Sequence, residues 1–109
     1  IYGDGEQSRD FTYVHDAVRA NLLASSAQPS ACGRSYNVAG GKRITIKELA
    51  LLVRDVVVGE AGLSFEPARE GDVRHSLAGL TASGGGLGYA PSVDLVAGLR
   101  ASHPHYNRC

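Results

Sequence analysis

The run Gly3-Asp4-Gly5-Glu6-Gln7-Ser8-Arg9-Asp10-Phe11-Thr12-Tyr13-Val14-His15-Asp16 constrains this chain more than any other stretch. Its two glycines reach positive φ without steric cost, so they permit a tight turn. The alternating Phe11, Tyr13 and Val14 then predict a short strand, and Asp16 is the expected N-cap of a helix. Arg9 stands where turn becomes strand, a place from which its guanidinium fork can meet an anion while its stem stays packed.

Helical spacing of Ala17, Val18, Leu22 and Leu23 predicts an amphipathic helix from Asp16 to about Gln28, stopped by Pro29. Ser35 to Ala39 reads as a short strand, and Gly40-Gly41 as the turn that ends it. Next comes the best-defined element. Thr45 and Glu48 have capping-box spacing, Ile44 and Leu49 sit at staple positions, and Leu49, Leu52, Val53, Val56 and Val57 repeat along one face. Burial of such a stripe, about 1.5–3 kcal/mol per side chain, outweighs the modest helix propensity of valine. This helix is expected to pack against a sheet or another helix.

Leu63-Ser64-Phe65-Glu66-Pro67 alternates like an edge strand, where Pro67 costs no ladder hydrogen bond. Arg69-Glu70-Gly71-Asp72 follows as a loop. Gly79 and Ser83-Gly84-Gly85-Gly86 weaken any helix there by about 1 kcal/mol per glycine, so it should be short, frayed or absent. Pro91-Ser92 opens a last turn or two of helix through Leu99, and residues 101–109 are expected to form an atypical tail, disordered or out of frame with what precedes it.

A chain of 109 residues allows one domain with a modest core. Eleven basic residues balance eleven acidic ones, which argues against nucleic acid or an anionic membrane as partner. Cys32 and Cys109 lack the paired spacing of a zinc site, and a reduced, cytoplasmic protein is the simplest reading. No segment has the apolar length of a membrane span. No signal leader opens the chain, though one could belong to a missing part.

The opening run resembles the Gly-Asp-Gly-x-Gln-x-Arg-Asp-Phe-x-Tyr-Val-x-Asp segment of the NAD-dependent epimerase/dehydratase family, extended short-chain dehydrogenases acting on nucleotide sugars. Four further stretches match in order: Tyr36-Asn37-Val38-Ala39-Gly40-Gly41, Thr45-Ile46-Lys47-Glu48-Leu49-Ala50, Arg69-Glu70-Gly71-Asp72-Val73-Arg74-His75-Ser76-Leu77-Ala78 and Leu87-Gly88-Tyr89-Ala90-Pro91-Ser92-Val93. Ordered motifs over residues 1–100 are far more specific than any one of them.

The likeness is strongest to the UDP-glucose 4-epimerase branch. It implies an α/β fold in which these residues form the small substrate-binding lobe of a Rossmann-type enzyme, with helices and short strands. It further implies that Arg9 and Arg69 clamp a UDP diphosphate, that Asp72 accepts hydrogen bonds from the nucleotide's sugar hydroxyls, and that Phe11 lies against the nucleotide wall. On residue types alone, both arginines read better as surface cations paired with Asp10 or Glu70.

Such enzymes also carry a glycine-rich dinucleotide loop and a Tyr-x-x-x-Lys pair. Neither is present: no Gly-x-x-Gly-x-x-Gly opens a helix here, and none of the five tyrosines has a lysine four residues later. There is no methionine either. The chain is therefore expected to be the C-terminal part of a larger enzyme, a homodimer by the resemblance, whose missing part binds NAD and removes and returns a hydride at C4 of a UDP-hexose. A 4,6-dehydratase or decarboxylase would share the arginines, and a non-catalytic interaction module is the alternative of a different class. No catalytic residue and no metal ligand is expected within these residues. His15 and His75 have no partner at recognisable spacing, and His103 and His105 have no third ligand.

Overall fold

The computed structural model describes residues 1–106, with Val58 described by its backbone alone. The elements are β1 (Ser8–Asp10), α1 (Val14–Ser25), a 3-10 turn (Pro29–Ala31), β2 (Arg43–Thr45), α2 (Ile46–Val53) running into a π turn (Arg54–Val58), α3 (Thr81–Leu87) and α4 (Leu95–Tyr106). The strands β1 and β2 pair antiparallel, with Ser8 opposite Thr45, Arg9 opposite Ile44 and Asp10 opposite Arg43. Single parallel bridges join Tyr2 to Glu66 and Ser8 to His75, so the edge strand expected around Leu63–Pro67 is reduced to one bridge.

The first strand lies earlier than its aromatic alternation suggests. Asp10 ends the ladder: its carboxylate accepts from Gly40 N at 2.9 Å, Gly41 N at 3.0 Å and Ala78 N at 3.4 Å, tying three segments together. A Cβ at position 40 would stand 2.5 Å from the Phe11 carbonyl oxygen, which is why this turn needs glycine. Gly40→Ala is expected to destabilise the fold by about 1–3 kcal/mol, read as a lowered urea midpoint.

Phe11–Tyr13 is irregular and α1 begins at Val14, with extended Tyr13 at the N-cap. Asp16 is therefore not a cap. It sits inside the first turn, 2 % exposed, and its carboxylate accepts from Ser92 Oγ at 2.6 Å, Ser92 N at 3.1 Å, Val93 N at 3.2 Å and Arg19 Nη2 at 3.1 Å. Because Asp16 and Ala20 turn inward, the stripe Val14, Val18, Leu22 turns outward and stays exposed by half or more.

No strand forms over Ser35–Ala39. Tyr36 instead donates its hydroxyl to Ala31 O at 2.8 Å and lays its ring on α3, where a Cβ at Gly86 would come within 2.7 Å of it. That close approach explains a seven-residue helix containing three successive glycines. Its Ser83 is fully buried, and the neighbouring Tyr89, 2 % exposed, donates to Ala39 O at 2.8 Å.

The capping box of α2 is formed: Glu48 N donates to Thr45 Oγ1 at 3.1 Å, and Thr45 N to Glu48 Oε2 at 3.0 Å. The stripe of α2 and its π turn is half-buried, not fully packed; the π turn meets α4. The last helix starts at Leu95, where Asp94 Oδ1 accepts from Ala97 N at 2.8 Å, and runs on through Pro104. Residues 101–106 are thus helix where a tail was expected, and Asn107–Cys109 lie outside the described residues.

Among the described residues the buried apolar side chains are Ala20, Ala31, Ala39 and Tyr89, a small core. The Cα radius of gyration is 16.5 Å, against roughly 13 Å for a self-contained domain of this length. Among the same residues no helix is long and apolar enough to cross a membrane, and no group of three His, Cys, Asp or Glu side chains could hold a metal.

Candidate functional site

Backbone pairing builds the site from two distant segments. Glu66 N donates to Ile1 O at 2.7 Å and Gly3 N to Glu66 O at 2.9 Å. Further along, Ser8 N donates to Arg74 O at 2.9 Å and Ser76 N to Ser8 O at 3.0 Å. Residues 66–76 therefore track residues 1–8, and the intervening Arg69–Asp72 turn, with Gly71 at φ +78°, overhangs the start of β1. Gly3 and Gly5 both adopt φ +76°, and a Cβ at Gly5 would come within 2.9 Å of Lys47 Cβ. Gln7, nearly buried, staples this turn by donating to Tyr2 O at 2.7 Å.

The overhang brings Arg9, Arg69 and Asp72 onto one cleft of about 410 Å³, lined also by Tyr2 and Gln7. Arg9 donates through Nη1 to Ser8 O at 2.8 Å and through Nη2 to the Asp72 carboxylate. The Arg69 guanidinium stacks on Tyr2, its carbon 3.7 Å from the ring centroid. Neither arginine pairs with Asp10 or Glu70. Tyr2 carried no recognisable sequence signal, because its partner Arg69 is remote along the chain.

Phe11 is not part of this cleft. The chain leaves the ladder after Asp10, the two-residue alternation that would put Phe11 on the Arg9 face breaks, and Phe11 lines a separate cavity of about 550 Å³ with Gly40, Ile44, Leu52 and Pro91. That cavity is mainly apolar, with Lys42, Arg43 and Asp94 among its lining.

Behind the cleft, Arg74 holds Asp4 by two hydrogen bonds, at 2.8 and 3.0 Å. The Arg74 guanidinium, then the Glu6 amide, hold the Asp4 carboxyl below the usual aspartate range. This pair is exposed and ties the glycine turn to the strand-like segment after Asp72. His75 Nδ1 lies 2.9 Å from Ser8 Oγ, a lateral pin between the same two segments, and no carboxylate completes a relay with it among the described residues. His15 packs edge-on to Tyr13.

Two guanidinium groups beside one carboxylate can hold an anion bearing hydroxyl groups. The described glycine turn does not suit a dinucleotide: it is filled by Lys47 and Ala68 and opens no helix.

The sequence profile of the NAD dependent epimerase/dehydratase family matches residues 1–39. An uncharacterized UDP-glucose epimerase of Bacillus subtilis, YtcB, is 32% identical over 91% of this chain and 31% of its own length. The dTDP-glucose 4,6-dehydratase of Streptomyces griseus is 32% identical over 99% of this chain and 33% of its own. Among solved structures, the UDP-glucose 4-epimerase of Thermotoga maritima with UDP-glucose superposes with a TM-score of 0.91 at 34% identity, over 99% of this chain and 34% of that one. The chain spans about a third of the length of the relatives it matches. Over nearly all of its length the chain is thus similar to about a third of the length of nucleotide-sugar epimerases and dehydratases, and its first 39 residues match the NAD dependent epimerase/dehydratase family.

Proposed function

We propose that residues 1–100 are the nucleotide-sugar-binding part of an NAD-dependent UDP-sugar 4-epimerase, and that Arg9 and Arg69 grip the diphosphate of the substrate while Asp72 meets hydroxyl groups beside it. The observation that carries this reading is the convergence of Arg9, Arg69 and Asp72 on one cleft from segments remote in sequence. Its support is the likeness to an epimerase solved with UDP-glucose.

The contribution of these residues is binding. Grip on the nucleotide, remote from the reacting carbon, positions the sugar while leaving it free to turn. The residues present do not fit NAD, so hydride chemistry belongs to another part of a larger, cytoplasmic and homodimeric enzyme. The half-exposed α1 stripe Val14, Val18, Leu22 and the extended radius of gyration support a segment that completes its packing against that part.

A dehydratase or decarboxylase is the second reading, favoured by the dTDP-glucose 4,6-dehydratase that matches nearly the whole chain. Calorimetric titration of the chain with UDP and with dTDP tests both. Binding of UDP in preference to dTDP is expected. A preference for dTDP supports the second reading, and binding of neither sinks both in favour of an interaction module without a nucleotide site. The same chain mixed with UDP-galactose and NAD+ is expected to show no turnover, and turnover abolished by a substitution here would place catalytic residues in this segment.

A further inference from the structure

The segment that carries Arg69 and Asp72 meets β1 at one residue. Ser8 N donates to Arg74 O at 2.9 Å and Ser76 N to Ser8 O at 3.0 Å, and these two bonds make a single parallel bridge between Ser8 and His75. So short a pairing fixes register weakly, because a slip breaks two backbone bonds and can remake two. Burial does not fix it either, since residues 69–76 are all exposed. Yet the cleft depends on that register. Asp72 precedes the bridge by three residues and Arg9 follows it by one, and Arg9 rests its Nη1 on the carbonyl of the bridging Ser8 at 2.8 Å. A slip would carry Arg69 and Asp72 along β1 and away from Arg9.

We infer that Ser8 and His75 are positioning residues of the cleft: the hydrogen bond between their side chains locks the register in which the 69–72 turn delivers Arg69 and Asp72 to Arg9. The inference rests on the clamp reading given above. Ser8 is 3 % exposed, and its Oγ lies 2.9 Å from His75 Nδ1. A hydroxyl both donates and accepts, so it can meet Nδ1 in either protonation state of the ring. A slip separates the pair and leaves a buried hydroxyl without its partner, a penalty that the remade backbone bonds do not offset. The Arg74–Asp4 pair joins the same two segments but cannot set register in this way. Both of its side chains are more than half exposed, and a long, solvated pair can follow a slip without losing its contact.

The test is calorimetric titration of the full chain with UDP and with UMP, for the unaltered protein, His75→Ala, Ser8→Ala and His75→Asn, with the urea midpoint read on each. A diphosphate needs both arginines at one spacing and a monophosphate does not. Lost register therefore lowers the preference for UDP over UMP, which a mere loss of stability leaves unchanged. His75→Ala and Ser8→Ala are each expected to cut that preference about tenfold, as for the loss of one charge-assisted hydrogen bond. The double variant should fall no further than either alone. His75→Asn sets a side-chain amide atom at the place of Nδ1 and is expected to keep most of the preference. If His75→Ala does not fold, Ser8→Ala carries the same comparison. An unaltered preference in the alanine variants, or a fall in His75→Asn as deep as theirs, overturns the inference with the clamp reading intact. Failure of the unaltered chain to bind UDP, or binding of UMP as tight as UDP, overturns the clamp reading and this inference with it.

Discussion

Arg9→Ala is expected to weaken UDP binding about a hundredfold or more, the largest effect of any single substitution in the cleft. Hydrogen bonds from a guanidinium to a phosphate contribute about 1.5–3 kcal/mol each, and the fork can make more than one. Removal of Arg9 also strips Asp72 of its only ion-pair partner among the described residues and leaves an unmatched carboxylate facing the diphosphate. The double variant Arg9→Ala/Asp72→Asn is therefore expected to recover part of the loss. Arg69→Ala, which removes a cation without exposing an acid, should cost about ten- to a hundredfold. The two arginine effects should be less than additive, because a diphosphate released at one end shifts and hydrates, leaving less for the second change to remove. Calorimetric titration with UDP measures these variants, and the double arginine variant, against the unaltered chain. Single variants that bind as tightly as the unaltered chain would return both arginines to the status of surface cations.

What could be read from the sequence follows the range of each interaction. The capping box of α2 was legible because Thr45 and Glu48 are three residues apart and depend on nothing else. The tight turn of Gly3 and Gly5 was legible for the same reason, and both take positive φ. The meeting of Arg9, Arg69 and Asp72 was legible only through the order of family motifs, since no local spacing relates residues 63 positions apart.

Where the partner is remote and of ordinary type, the residue pattern misleads. Phe11, Tyr13 and Val14 alternate like a strand, yet Asp10 bonds to Gly40, Gly41 and Ala78 and takes the chain out of the ladder before them. Tyr36 to Ala39 has strand-like residues, but Tyr36 finds its place on Gly86 of α3. The glycines that lower the propensity of α3 are also what lets that ring approach, so tertiary contact decides against the local signal. The valines and leucine of α1 mark an apolar face correctly but not its direction. That direction is set by Asp16, whose partners are 76 and 77 residues away.

Asp16→Ala is expected to destabilise the chain by about 2–4 kcal/mol, chiefly because it leaves the Ser92 and Val93 amides without their acceptor, a loss of about 1–3 kcal/mol for each unsatisfied buried group. Three separate donors converge on this carboxylate from the turn before α4 and a fourth from Arg19, so its loss orphans two backbone amides and a guanidinium at once. Among the described residues Arg19 has no alternative acid: it also donates to the Ala90 carbonyl and lies over the face of Tyr89, and its Nε is buried without a partner there. Asp16→Asn keeps one acceptor but sets an amide nitrogen against Ser92 N or Val93 N, and should fall between the two. Burial raises the Asp16 carboxyl, but the hydrogen bonds of the Ser92 hydroxyl, the Ser92 and Val93 amides and Arg19 together outweigh it and hold the group below the usual aspartate range. A pKa depressed by folding contributes stability that is complete above the unfolded value, near 3.9, and is lost as pH falls through the lower folded value. The gap in urea midpoint between the unaltered chain and Asp16→Ala should accordingly be widest near neutrality and narrow below about pH 4. A gap as wide at pH 3 as at pH 7 would mean that the shape of the side chain, and not its charge, joins α1 to the segment before α4.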